Sequence, residues 1–360
     1  MQALHIHAGP KALAHLREHG LRPEHVGIIP AAAGGPKGLI LGPLDRFLFG
    51  QWLPQSSQPM HLVGASIGAW RMATACLHDP VAAFERLEHD YIHQHYELAP
   101  GQKRVTAEQV SREFGRSLQA FYGGRIGEVL QHPRYRLHVL TSRGRQVLRR
   151  EHGLATPLGY LGAYLSNAAA RPALGAWLER VVFSSQGALP FGTQDLRTRQ
   201  HALTEANFMP AVQASCSIPF VLQAVHDIPG APPGAYWDGG ITDYHLHLDW
   251  QTPRDRPEGR LVLYPHFQRQ VVPGWLDKAL KWRHGPTAAL DHTVLLAPNP
   301  EWVKTLPNAK LPCRKDFATY GQDLQARVKV WNAAAGAARQ LADELAEWLD
   351  RPDLGRVQPL

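Results

Sequence analysis

Gly64-Ala65-Ser66-Ile67-Gly68 is the stretch that most constrains how this chain can fold. Met60-His61-Leu62-Val63 ahead of it is short, mostly apolar and strand-like, while residues 69–77 behind it are rich in helix formers. Strand, tight turn and helix in that order put a serine at the apex, between small residues that let strand and helix pass closely. Such a turn strains the backbone so that the serine oxygen projects. The following helix then directs amide N–H groups and the positive end of its dipole at the same point. A βα turn with an incidental serine is the plainer reading, and five residues alone do not separate the two.

The flanking sequence extends this pattern. A helix is expected over 10–19, with Leu13 and Leu16 on one face and Gly20 ending it. A buried strand follows at 26–29, then a loop of very small residues at 30–38, then a helix at 39–49. The first 77 residues therefore read as the start of a parallel sheet with helical crossovers. Asp79-Pro80 opens another helix, with Phe84, Leu87 and Tyr91 at helical spacing, and residues 106–109 match a capping box before Val110, Phe114, Leu118 and Phe121. Further strands are expected at 136–141, 180–183, 259–267 and 293–297. A long amphipathic helix is expected over 324–349, broken near Gly336. No repeat or linker interrupts the chain, so one α/β domain over 1–360 is the simplest account.

Composition narrows the function classes. The 360 residues, 44% of them hydrophobic with 32 glycines and 29 prolines, describe a globular, loop-rich protein and not a disordered one. The net charge of +7 is spread without a basic run or a basic-aromatic module, which argues against nucleic acid. The charge suits either solubility or an anionic surface. Cys76, Cys216 and Cys313 are odd in number and far apart, which favours a reducing compartment. Residues 1–7 lack the basic and apolar regions of a signal peptide, and no apolar run of ~18 residues occurs. The expectation is a soluble, cytoplasmic protein.

A serine nucleophile needs a base and a site for the developing oxyanion. Ala33-Gly34-Gly35-Pro36-Lys37-Gly38 offers the second, because consecutive glycines bare their backbone N–H groups. Pro36 has none, so the expected donors are Gly34 and Gly35, joined by Ile67. A nucleotide phosphate loop fits badly, since Gly38 stands where Ser or Thr would hold magnesium. A purely structural turn is the other reading. For the base, Asp238 in Tyr236-Trp237-Asp238-Gly239-Gly240 is the candidate, although Asp-Gly is also a common hairpin turn.

Taken together, these motifs resemble the patatin-like phospholipases, serine acyl hydrolases that use a Ser–Asp dyad in place of a triad. The glycine loop at 33–38, the elbow Gly64 to Gly68, and Asp238-Gly239-Gly240 match the family's motifs in the family's order. Ala214-Ser215-Cys216-Ser217-Ile218-Pro219 resembles a fourth, and the motifs cover about 25–245. The resemblance implies a three-layer α/β fold, a mostly parallel central sheet flanked by helices, with 246–360 as a C-terminal extension packed on the core. It implies hydrolysis of a lipid ester through an acyl-Ser66 intermediate, with Asp238 as base, Gly34, Gly35 and Ile67 as the oxyanion hole, and neither cofactor nor metal. Gly38, Gly64, Gly68, Gly239 and Gly240 are the motif glycines, and Lys37 faces either the substrate's phosphate or solvent. Ala33 departs from the pattern, standing where a glycine is usual; a positive φ there would penalise alanine.

Other readings compete. Twenty histidines make a Ser–His–Asp triad the natural rival, with His245, His247 or His266 as base. The pairs His5/His7, His89/His93 and His245/His247 lack a third metal ligand at suitable spacing. Residues 273–283 read as a short interfacial helix, with Trp275, Ala279 and Trp282 on one side, joined by Leu276 and Leu280, and Lys278 and Lys281 opposite. That stripe serves either a lipid surface or packing within the domain. A non-catalytic lipid-binding protein on the same fold is the remaining alternative.

Overall fold

A computed structural model describes residues 1–98, 101–102 and 104–360. Strands Leu4–Ala8 (β1), Val26–Ala31 (β2), Met60–Ala65 (β3), Tyr135–Gly144 (β4), Leu178–Ser184 (β5), Thr198–Ala202 (β6), Val225–His226 (β7), Ala235–Asp238 (β8), Leu261–Pro265 (β9), Thr293–Pro298 (β10) and Val357–Pro359 (β11) join in one sheet. The main order is β11-β1-β10-β9-β2-β3-β4-β5-β6, with β8 against β4 and β7 against β8. Neighbours from β10 to β4 run parallel, and antiparallel pairs appear only outside that block. Every residue of β2 is buried, as are all but one of β3, consistent with apolar strands covered by helices on both faces. The fold is thus α/β, with a mostly parallel central sheet between helices.

The C-terminal third does more than pack on this core. It contributes β9 and β10 beside β2, and β11 at the sheet edge. Apolar runs at 261–265 and 293–298 are fully buried, so they take sheet positions and not surface ones.

Several elements differ from expectation for local reasons. The helix expected at 39–49 is a chain of short pieces: a 3₁₀ segment Gly35–Leu41, an α-turn Gly42–Phe47, a π-segment Leu48–Trp52 and a 3₁₀ turn Leu53–Gln55. Pro36, Pro43 and Pro54 each sit in a first turn, where a missing N–H is harmless, and so restart the helix repeatedly. The C-terminal helix divides into Leu324–Ala337 and Arg339–Asp350, close to the expected break.

Residues 273–283 do not form the amphipathic helix. They make two 3₁₀ turns, Trp275–Asp277 and Lys281–Arg283, because the fully buried Asp277 carboxylate draws the segment inward. It accepts from Asn167, Arg171 and Arg283, each at 2.9 Å. Trp275 and Leu276 are half-buried and Leu280 is buried, while Lys278, whose ammonium lies over the Tyr244 ring, Ala279, Lys281 and Trp282 are exposed. The exposed apolar face lies elsewhere. Leu154 and, on the helix Ala155–Ala169, Leu158, Leu161 and Leu165 are 54–85% exposed along one side.

Sheet register brings the two key segments together. β3 pairs in parallel with β4 from Met60↔Tyr135 to Ala65↔Leu140. At the next position of β4 the antiparallel β8 takes over, with Thr141↔Asp238. The C-terminal ends of β3 and β8 therefore meet head to head along β4, and Ser66 and Asp238 sit at that junction. The turn after Asp238 is anchored from β5: Arg180, fully buried, forms a bidentate pair with buried Asp243 at 2.7 and 2.6 Å and bonds Asp195 on its other side. Asp243 in turn donates its N–H to Gly239 at 3.0 Å. Arg180→Ala leaves the buried Asp243 charge with Arg171 alone, 3.7 Å away, and is expected to cost about 3–5 kcal/mol in urea unfolding; removing Asp243 as well should restore part of that loss.

Candidate active site

Ser66 lies at φ 57°, ψ −130°, a left-handed conformation that L side chains rarely adopt. Two glycines make the bend possible. A Cβ on Gly68 would stand 1.9 Å from the Ala31 carbonyl oxygen, and one on Gly64 would meet the Ala69 backbone at 2.5 Å. Helix Ile67–Ala75 starts immediately after Ser66, whose carbonyl accepts from Ala69 at 2.9 Å. Ser215 holds the strained residue from behind: its hydroxyl donates to the Leu140 carbonyl at 2.7 Å and accepts the Ser66 N–H at 2.9 Å.

The Ser66 hydroxyl donates to Asp238 Oδ2 at 2.7 Å, and both side chains are buried. The other carboxylate oxygen accepts the Gly240 N–H at 2.7 Å. Asp238's own backbone is pinned as well. Its carbonyl accepts from the Ser142 hydroxyl at 2.9 Å, and its N–H donates to Ser217 at 2.9 Å. Gly239 must be a glycine, since a Cβ would stand 2.1 Å from the Leu140 carbonyl. Burial pushes the Asp238 carboxyl above its ordinary range, opposed by the Arg314 charge and by the Ser66 and Gly240 hydrogen bonds.

Gly34 and Gly35 open the 3₁₀ segment beside this pair, and Gly35, Ser66 and Ile67 line one cavity. Among the described residues the N–H groups of Gly34, Gly35 and Ile67 donate to no protein acceptor. A side chain on Gly34 would strike the Phe267 ring at 2.5 Å, and Gly35 has φ +56°. Gly38 packs on Ile67, and Arg71, one turn into the elbow helix, ties it to buried Asp45 by two 2.7 Å bonds. Ala33 does not take a positive φ. Its methyl fills the space beside Gly240, whose own Cβ would lie 2.6 Å away, so alanine here complements a glycine of another motif.

The cavity measures about 500 Å³ and is mainly apolar, with Trp70, Phe114, Ile218, Leu222 and Phe317 in its walls. Phe220 and Val221 line it too and are largely exposed, marking its mouth. Cys216, the neighbour of Ser215, lies beside Ser66, and burial keeps its thiol protonated. Arg314 also lines the cavity, its Nε 3.2 Å from where a Gly35 Cβ would be. Sequence reasoning missed Ser142 and Arg314 and assigned Ser215 and Cys216 no task, because each acts through residues distant in the chain.

The histidines stand apart. His245 Nδ1 faces the Gln270 carbonyl at 3.1 Å and the Val272 N–H at 3.0 Å, while its ring packs on His266 and Phe267. Burial holds His245 far below its usual pKa and His266 at about 3, so both are neutral. His247 binds Val271 and Thr287. None of the three hydrogen-bonds Ser66 or Asp238. Among the described residues no group of three His, Cys, Asp or Glu gathers as metal ligands.

Removing the Ser215 hydroxyl leaves the Ser66 N–H and the Leu140 carbonyl without partners. Ser215→Ala is expected to cost about 1–3 kcal/mol in thermal or urea unfolding and to slow fluorophosphonate labelling at Ser66.

No curated protein sequence matches the chain. Among solved structures, VipD from Legionella pneumophila is similar at 14% identity and a TM-score of 0.37, over 89% of this chain and 67% of that one. The family model for patatin-like phospholipases matches residues 34–245, from the glycine loop through the Asp238 turn. That span is more than half the chain, and the protein therefore belongs to the patatin-like phospholipase family of lipid acyl hydrolases.

Proposed function

We propose that the protein hydrolyses carboxylic esters of lipids through an acyl-Ser66 intermediate, with Asp238 as its base. The observation that carries this reading is the 2.7 Å hydrogen bond from the Ser66 hydroxyl to Asp238, at the end of a mainly apolar cavity. As the Ser66 oxygen attacks the ester carbonyl, Asp238 takes its proton. The tetrahedral oxyanion is met by the free N–H groups of Gly34, Gly35 and Ile67 and by the N-terminus of the elbow helix. On collapse Asp238 returns the proton to the departing oxygen, the alcohol leaves, and the acyl chain stays on Ser66. Water, activated by the same carboxylate, then releases the fatty acid. Burial favours this chemistry, because a carboxylate raised above its ordinary pKa is a stronger base.

The test is hydrolysis of a p-nitrophenyl ester series. Ser66→Ala and Asp238→Asn should each lose about 1,000-fold or more in kcat/KM, while His245→Ala stays active. Loss in a folded His245→Ala protein would transfer the role of base to a histidine. No turnover and no fluorophosphonate labelling of the folded protein would instead support a binding role. Asp238 must be ionised to accept the proton, so activity falls as pH drops through its raised pKa. The acid limb of kcat/KM should accordingly lie above pH ~4, the ordinary carboxylate value.

We further propose that the exposed leucine face is where the protein meets lipid aggregates. No helix among the described residues is long and apolar enough to cross a membrane. Residues 153–170 carry no charge, Arg149 stands ahead of them beside Glu151 and Arg150, the latter paired with Asp227, and the face continues to the cavity mouth where Phe220 touches Tyr160 of the same helix. Arg283 bonds the Ala168 carbonyl, which brings the outward Trp282 and Lys281 to the helix's far end. Apolar side chains with flanking cations suit an anionic lipid surface. A Leu158→Ser/Leu161→Ser variant should bind anionic liposomes about tenfold or more weakly in a flotation assay; undiminished binding would dismiss this surface.

A further inference from the structure

Among the described residues three arginines are buried, and only two of them are matched by acids. Arg71 is paired with Asp45, and Arg180 with Asp243 and Asp195. Arg327, on the helix Leu324–Ala337, is 3% exposed and has no carboxylate within 4 Å. One of its Nη groups donates to the Gln94 carbonyl, while its Nε is buried without an acceptor. Asp316 is the acid whose charge it feels, but that carboxylate is already held by Lys310, the Cys313 N–H and the Trp331 indole. Phe317 and Trp331 lie against the guanidinium, with ring centroids 4.4 and 4.9 Å away. Such stacking offsets part of the desolvation of a cation and leaves its Nε–H unanswered. A buried charge in this condition is strongly unfavourable until an anion joins it.

Arg327 stands in the wall of the same cavity as Ser66. Tyr91 comes between them. Its hydroxyl is 3.5 Å from where a Gly35 Cβ would be, and its ring lies 6.4 Å from Trp70 of the elbow helix and 6.3 Å from Trp331. Arg314, in the wall beside Gly35, also has no carboxylate within 4 Å among the described residues, but it is exposed, so water can solvate its charge. Arg327 has no such access.

A ligand that satisfies this cavity needs two parts. Hydrocarbon suits the apolar walls, and one anionic group is needed for the guanidinium. A carboxylate oxygen can accept the Nε–H, turning a lone buried cation into a pair of the kind that Arg71 and Arg180 already make.

We infer that Arg327 anchors a carboxylate subsite in the cavity, one that takes an aliphatic carboxylate. Its source is either the far end of the substrate's acyl group, which makes half-esters of dicarboxylic acids preferred substrates, or the head of a free fatty acid. Arg327 lies beyond residues 34–245, the span that matches the family, so the subsite belongs to this chain's C-terminal third. The substrate form of the inference rests on the acyl-hydrolase reading above; the binding form does not.

The test compares mono-p-nitrophenyl suberate with p-nitrophenyl octanoate, esters of equal acyl length that differ in the terminal carboxylate. Wild type should hydrolyse the suberate at least as well as the octanoate, although a terminal charge is unfavourable in an apolar cavity. The ratio of their kcat/KM values should fall about 10- to 100-fold in Arg327→Met and less in Arg327→Lys, which keeps a charge. The second arm needs no turnover and so separates failure of the subsite from failure of the hydrolase reading. There octanoate and octanol are titrated calorimetrically into Ser66→Ala protein with and without Arg327→Met. Octanoate should bind more tightly than octanol, and Arg327→Met should erase the difference. A ratio that moves assigns the carboxylate to the acyl group, and an Arg327-dependent preference for octanoate alone assigns it to a free fatty acid. If Arg327→Met does not fold, the wild-type ester ratio, the Ser66→Ala preference and Arg327→Lys decide in its place. A neutral ligand favoured in both arms, or ratios and preferences that ignore Arg327, overturn the inference.

Discussion

Everything at the centre of this molecule depends on the backbone of one residue. Ser66 stands in a conformation that costs on the order of 1–3 kcal/mol, and it persists because its surroundings leave no alternative. Gly68 presses its α-carbon against the Ala31 carbonyl, Gly64 lets the elbow helix fold back on its own strand, and Ser215 links the Ser66 N–H to the Leu140 carbonyl. Three neighbouring strands are thereby tied to the position of a single oxygen atom. Relaxing any of these contacts would let the turn open and carry the hydroxyl away from Asp238.

The electrostatics of the pair are a balance and not a simple burial. Desolvation drives the Asp238 carboxyl toward its neutral form, which would make it useless as a base at low pH. Arg314, the Ser66 hydroxyl, the Gly240 N–H and Lys278 all oppose that shift. A buried carboxylate held in such a balance is more basic than one in water and still available in ionised form. The neighbouring histidines carry no comparable poise. His245 and His266 are buried against one another and against Phe267, and both are held neutral.

The C-terminal third deserves a different description from the one its sequence suggested. Its strands complete the parallel block beside β2, Phe267 closes over the glycine loop, and Arg314 lines the cavity beside Ser66 and Gly35. Asp277 explains why 273–283 turns inward. A buried carboxylate with three donors outweighs the helical spacing of tryptophans and lysines that made the segment look interfacial. The leucine face on Ala155–Ala169 escaped notice because it sits in a helix with a weak polar-apolar contrast, where exposure depends on what the rest of the fold leaves uncovered.

The sequence by itself determined the α/β class, the strand–elbow–helix at Ser66, the glycine loop and the Asp-Gly-Gly turn. Each of these is a local matter of apolar period, small residues and turn chemistry, readable within a dozen residues. Tertiary structure decided what those segments do to one another. That Ser66 and Asp238 lie 2.7 Å apart follows from β3 and β8 abutting along β4, a register no local pattern encodes. Ser215 and Ser142 became supports only because α-helix and strand bring their hydroxyls to backbone groups far away in the chain. Ala33, a departure from the family's loop, is accommodated because Gly240 leaves room for its methyl. Periodicity records which face of an element is buried; which partner it meets there is set by the closure of the sheet, and the chemistry of this site lives in those meetings.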